Sequence, residues 1–218
     1  MPDDDATTTT TSGNNEPVAR HNSRANLERL LTQMIEQPER RAEISSQLET
    51  EFGQQKAVMV LDMSGFSRTT QRLGIASFLL MIHQMQLVAR PCVEAHQGLL
   101  VKAEADNLLC LFDTVAQAVK ASRNITRHLG VANLLLPDDQ RLYVSIGIGF
   151  GTILNIEDED IFGNEVNLAA KLGEDIARMG DILLTDAARE QLDGSEVSIR
   201  EESISISGID LKYFAVDA

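Results

Sequence analysis

The stretch "GLLVKAEADNLLCLFD", residues 98–113, decides the fold class. Two apolar runs of strand length flank a tight polar turn at 104–107. That is the signature of a β-hairpin, so part of the sheet must be antiparallel. Working outward, the segment before it (75–96) places Phe78, Leu79, Ile82, Met85 and Val88 on one side of a long helix. Before that, "KAVMVLD" at 56–62 is a short apolar run of strand formers. Downstream, the patterns predict a helix over 114–129, a strand over 141–154, a helix over 164–179, a strand over 181–185 and closing strands within 197–216. This order predicts an α/β (α+β) domain with helices packed on a mixed sheet.

Composition limits what such a domain can bind. The 218 residues carry a net charge of -14, with a pI near 4.6. Affinity for a phosphate backbone comes largely from Lys and Arg, so nucleic acid is not an expected partner. Cys92 and Cys110 have no C-x-x-C spacing and read as small buried hydrophobes in a reducing compartment. No apolar run reaches the roughly 18 to 20 residues of a membrane span. The N-terminus "MPDDDATTTTTSGNNEP" is acidic where a signal peptide would be basic, so the expected location is the cytoplasm.

Residues 1–24, acidic and rich in Thr, have little to bury and are expected to form a disordered tail. A helical lead-in follows over 25–54: Leu27, Leu30, Leu31, Met34 and Ile35 recur at helical spacing, Pro38 interrupts, and Ile44, Leu48 and Phe52 resume it. Its plain role is packing against the main domain, 55–218. The sharper role is dimerisation or relay from an upstream regulator.

Several polar residues fall where chemistry is done. Asp62 ends the first strand and Asp106 sits in the hairpin turn. If those strands are neighbours, both carboxylates project from one sheet edge, a pair of hard oxygen ligands suited to Mg²⁺ or Mn²⁺. After Asp62, the turn through Ser64, Gly65, Phe66 and Ser67 can offer backbone N–H groups to phosphate oxygens as it enters a helix. Asn167 and Lys171, four residues apart, put an amide and a cation on one helical face. In "YVSIGIGFG", Val144, Ile146, Ile148 and Phe150 alternate with Ser145, Gly147, Gly149 and Gly151, leaving one strand face nearly bare. Something must approach that backbone closely, and helix-on-sheet packing is the plain explanation.

Taken together, these stretches resemble the class III nucleotidyl cyclases, the family of adenylyl and guanylyl cyclase catalytic domains, over about residues 55–216. "VLDMSGF" resembles the family's first metal motif, which implies Asp62 as a ligand with the Met63 carbonyl beside it. "VKAEAD" resembles its hairpin motif, implying Asp106 as second ligand and Lys102 as a base reader. "DIFGNEVNLAAKL" is similar to the most diagnostic stretch. It implies that Asp160 reads the base, Asn167 orients the ribose and Lys171 stabilises the transition state. The resemblance implies a ferredoxin-like mixed sheet, two Mg²⁺ or Mn²⁺ ions per site, and a homodimer whose sites draw on both chains. The implied reaction is conversion of a nucleoside triphosphate to its 3′,5′-cyclic monophosphate and pyrophosphate. Lys102 only donates and ionised Asp160 only accepts, which fits adenine N1 and its exocyclic amine, so ATP is the expected substrate.

The chain also departs from the pattern. Ala105 replaces the hairpin glycine, Lys171 stands where Arg is usual, and Ser145 and Ser207 occupy positions often basic in relatives. A thinner cationic clamp implies a slow enzyme or one that needs activation. Glu104 beside Asp106 is either a solvated turn residue or an extra ligand. The alternatives are a degraded cyclase fold that senses a nucleotide or serves as an interaction module, a cyclase acting on another nucleotide, and a phosphoacceptor receiver, which "VLDMSG" also resembles.

Overall fold

The computed structural model describes residues 21–64, 66–193, 197–206 and 209–217. Most of the expected N-terminal tail therefore lies outside the described residues, as do Gly65, the side chains of Phe66 and Ser67, and Ser207.

The lead-in forms two helices. Helix α1 (Arg24–Glu36) begins one residue inside the stretch expected to be tail, with the Ser23 side chain accepting from the Asn26 N–H as its cap. It ends before Pro38, whose ring removes a backbone donor; Gln37 leaves the helical conformation at φ -126° and ψ 71°, and a short 3₁₀ turn (Pro38–Arg40) leads into α2 (Arg41–Phe52). Leu30, Ile44, Leu48 and Phe52 bury against Ile156 of the main domain, so the lead-in is packed onto it.

The hairpin reading holds. Strand β2 (Leu99–Glu104) pairs antiparallel with β3 (Asn107–Phe112), with a bulge between Leu100 and Lys102. Strand β1 (Gly53–Met63) lies beside β3 and, on its other edge, runs antiparallel to the long β4 (Val144–Ile156) over its whole length. Then come β6 (Ile182–Leu184), parallel to β4, and the closing hairpin β7 (Ile199–Ile206) and β8 (Ile209–Val216). The order is β2-β3-β1-β4-β6-β8-β7, with β5 (Asp160–Phe162) paired to the end of β4. The short β5 and helix α6 (Asp186–Glu190) have too few residues for periodicity to reveal them.

Two layers cover the sheet. On one face, α3 (Phe66–Ala95, broken at Gly74) and α4 (Val115–Ala132) bury Met59, Leu61, Met63, Cys110 and Ile146. Both cysteines are buried free thiols, and burial pushes that of Cys110 up to about 12. On the other face, α5 (Asn164–Ala170) and the π turn that continues it (Lys171–Ile176) cover Val58, Val60 and Leu111. Here the bare strand is explained. A Cβ at Gly147 would collide with the Ala169 carbonyl, and one at Gly149 with that of Glu165. Backbone rests on backbone, as expected of helix-on-sheet packing. No described helix is long and apolar enough to cross a membrane.

Candidate active site

Strand alternation sets the site. On β1, Val58 and Val60 face α5, so Asp62, two residues on, points to that face as well. It lies one residue beyond the Leu61–Leu108 pair, next to the Ala105–Asp106 turn. The two carboxylates are thus brought to one sheet edge. Ala105 adopts a left-handed φ of 47°, the conformation a glycine would hold without strain, so the turn keeps its shape at a cost of roughly 1 kcal/mol.

Negative charge is crowded at this edge. The half-buried carboxyl of Asp62 is pushed up to about 7, first by burial, then by Asp106, then by Glu174, with the Met63 backbone N–H acting the other way. Glu174 comes from the π turn and accepts from Asn107 Nδ2 at 3.1 Å. Its own carboxyl is raised by desolvation, then by Asp175 and Asp106. Asn107 Oδ1 is buried without a hydrogen-bond partner. Crowded carboxylates and an orphan amide oxygen are hard donors that a dication would satisfy, so the residues fit Mg²⁺ or Mn²⁺. Among the described residues no group of three His, Cys, Asp or Glu side chains is disposed to hold a metal alone. The rest of a coordination shell would therefore come from backbone or substrate. The Met63 side chain is buried in the core.

Lys102 lies opposite Leu109 on β2–β3 and so shares the α5 face. It pairs with Glu104 at 3.0 Å, and its ammonium is held above its usual range by that partner first and by Asp160 less strongly. Glu104 is thus exposed and engaged by Lys102. A cleft of about 160 Å³ is lined by Val60, Lys102, Glu104, Asn107, Leu108, Leu109, Val166, Ala170 and Glu174. Asp160 opens β5, its Oδ1 accepting from the Ile161 N–H at 3.1 Å and its Oδ2 lying 3.6 Å from the Arg24 guanidinium. Asn167 is exposed on α5, and Lys171 is held by Asp175 at 2.6 Å; neither lines the cleft. Within one chain, then, the structure groups Asp62 with Asp106 and Lys102 with Asp160.

Ser145 does not face the cleft. It is buried, with Oγ 3.2 Å from the Ser64 hydroxyl and donating to the Asp62 carbonyl at 3.5 Å. Sequence reasoning missed Glu174, Asn107 and Arg24. Gly173 was the available signal for the first: a Cβ there would press on the Val60 carbonyl, so the glycine marks where the turn closes on β1.

No family model matches the chain. It is 29% identical over 136 residues to the adenylate cyclase of Streptomyces coelicolor (strain ATCC BAA-471 / A3(2) / M145), covering 62% of this chain and 34% of that protein. It is 30% identical over 138 residues to a Rhizobium meliloti (strain 1021) protein provisionally named adenylate cyclase 3, covering 63% of this chain and 23% of that one. The chain thus spans a quarter to a third of the length of these relatives. Among solved structures, the adenylate/guanylate cyclase/hydrolase from Silicibacter pomeroyi matches with TM-score 0.60 at 27% identity, over 75% of this chain and 96% of that chain. The adenylyl cyclase CyaB from P. aeruginosa matches in fold with TM-score 0.64 at 19% identity, over 76% and 96%.

Proposed function

The chain is related to the class III nucleotidyl cyclases and has the fold of their catalytic domain, and from that premise we propose that it converts ATP to 3′,5′-cyclic AMP and pyrophosphate as a homodimer. The observation that carries this reading is the Asp62–Asp106 edge, where two carboxylates from neighbouring strands meet and where burial, then the Asp106 and Glu174 charges, push the Asp62 carboxyl up to about 7. Groups kept that close are suited to a cation-dependent task.

Asp62, Asp106 and the Met63 carbonyl are the groups that would hold the Mg²⁺ or Mn²⁺ ions. Bound there, such ions supply positive charge that lowers the pKa of the ribose 3′-hydroxyl and neutralises the leaving pyrophosphate. Lys102 donates to adenine N1 and Asp160 accepts from the exocyclic amine. Gly65, Phe66 and Ser67 offer backbone N–H groups to the triphosphate. Asn167 and Lys171 act across the dimer, because in their own chain they lie outside the cleft. There they orient the ribose and offset charge on the transferring phosphate.

A second reading has its own support. Lys102 and Lys171 are each paired to a carboxylate of the same chain, as expected of a module that holds a nucleotide without cyclising it. Cyclic nucleotide formation from ATP, GTP, CTP and UTP with Mn²⁺ separates the two. The enzyme reading expects cyclic AMP, with ATP favoured at least tenfold. Binding of ATP with no product supports the module, and equal use of ATP and GTP removes Lys102 and Asp160 as base readers.

A further inference from the structure

The N-terminal segment reaches the residue proposed to read the base. Asn22 Nδ2 donates to the Asn155 carbonyl at 3.2 Å, the Arg24 N–H donates to Glu157 Oε2 at 3.1 Å, and the Arg24 guanidinium lies 3.6 Å from Asp160 Oδ2. The three contacts land on the end of β4, on the turn that follows it and on the first residue of β5. That turn holds two successive non-glycine residues in left-handed conformation, Glu157 at φ 54° and Asp158 at φ 62°. Such a turn persists only when its surroundings over-determine it. Asn155 supplies part of the bracing, donating to Asp158 Oδ1 at 2.7 Å and accepting from the Asp158 N–H at 3.0 Å. Residues 22–24 supply more, and they are themselves anchored through the Ser23 cap and the fully buried Leu30.

We infer that Arg24 is a specificity residue of the nucleotide site, positioning the Asp160 carboxylate to accept from the amine of adenine. The inference rests on the proposed function and extends its site into the lead-in helix. With Oδ1 engaged by Ile161 and Oδ2 facing Arg24, a carboxylate with about four lone-pair positions keeps two for a ligand. Arg24, Asp160, Lys102 and Glu104 form a row of alternating charge, since Asp160 and Arg24 act with opposite sign on the Lys102 ammonium. On this inference the Arg24 guanidinium, 3.6 Å from Oδ2, competes with Lys102 for the Asp160 carboxylate. Without that competition, the two base readers neutralise each other, and the acceptor-donor order that tells adenine from guanine is lost.

The test uses the full chain and two non-cyclisable probes, 3′-deoxy-ATP and 3′-deoxy-GTP with Mg²⁺, read by calorimetry, alongside initial rates with ATP. Arg24→Ala should weaken 3′-deoxy-ATP about fivefold, the scale of one exposed ion pair, and leave 3′-deoxy-GTP within about twofold. KM for ATP should rise in step with kcat nearly unchanged, and Arg24→Lys should recover most of the loss. Arg24 is half exposed, so the variant folds, which thermal unfolding verifies. A selective wild type whose Arg24→Ala variant is equally selective overturns this inference alone. A variant with raised kcat overturns it too, since Arg24 would then be a brake. A wild type that binds neither probe overturns the proposed function itself.

Discussion

The two charged edges of the α5 face are built on opposite plans. At the base edge each charge has a partner of opposite sign in the same chain: Lys102 with Glu104, Asp160 with Arg24. At the carboxylate edge Asp62, Asp106 and Glu174 crowd together, and Asp62 holds its proton up to about 7, first through burial and then through its two acidic neighbours. A balanced row discriminates by the order of donors and acceptors. A crowded one acts as a receptor for positive charge. The contrast teaches that one sheet end can hold a charge-balanced and a charge-crowded arrangement side by side, which the proposed function assigns to recognition and to catalysis, differing in whether charge is compensated within the chain.

The largest effect should come from breaking the crowded edge. Asp106→Asn or Asp62→Asn should lower cyclic AMP formation by about 1000-fold or more, because an amide lacks the charge to hold a dication. Circular dichroism should show the fold intact. Substantial turnover in both variants would dissolve the distinction between the edges.

Mixing chains sharpens the contrast, since the carboxylates and the Asn167–Lys171 face would come from different copies. Asp106→Asn and Asn167→Ala chains should each be inactive alone. Exchanged at equal amounts, about half the dimers become mixed with one intact site, restoring about a quarter of wild-type activity. No recovery after verified exchange would place all the residues in a site within one chain.

The smallest effect is on stability. The carboxyl of Asp62 in the folded protein, pushed up to about 7, lies above its ordinary value of 3.8. The folded state therefore binds the extra proton, and the associated stability is full below about pH 4 and lost as pH rises through 7. Asp62→Asn should accordingly stabilise the metal-free protein at pH 8 by about 1 kcal/mol, after allowing for solvent screening at a half-exposed site, and much less near pH 4. Denaturant unfolding at both pH values measures it. An equal effect at the two would mean that neither burial nor the neighbouring Asp106 and Glu174 charges raise the Asp62 carboxyl.

Much of this was legible in the sequence because it is local. Alternation in 98–113 revealed the hairpin, and the bare glycine face of 144–151 foretold close packing. Asp62 and Asp106 could be placed at one edge because strand pairing converts sequence position into spatial position. Glu174 was hidden because it reaches the edge through a π turn, which departs from the 3.6-residue period on which face assignments depend. Arg24 was hidden because its partner lies 136 residues away and the segment before it carries no hydrophobic rhythm. The parts that escaped are side-chain contacts between elements, where periodicity carries no information.

The seat of α5 on the sheet has a mechanical meaning. At Gly147 and Gly173 main chain meets main chain with no side-chain cushion between. Side chains absorb small displacements by changing rotamer, but a joint without rotamers has nothing to absorb them with. Such a joint works like a machinist's datum face: the offset between Asp62 on the strand and Lys171 on the helix is set by bond lengths and van der Waals radii. Repacking elsewhere in the core can change how stable this domain is without changing that dimension.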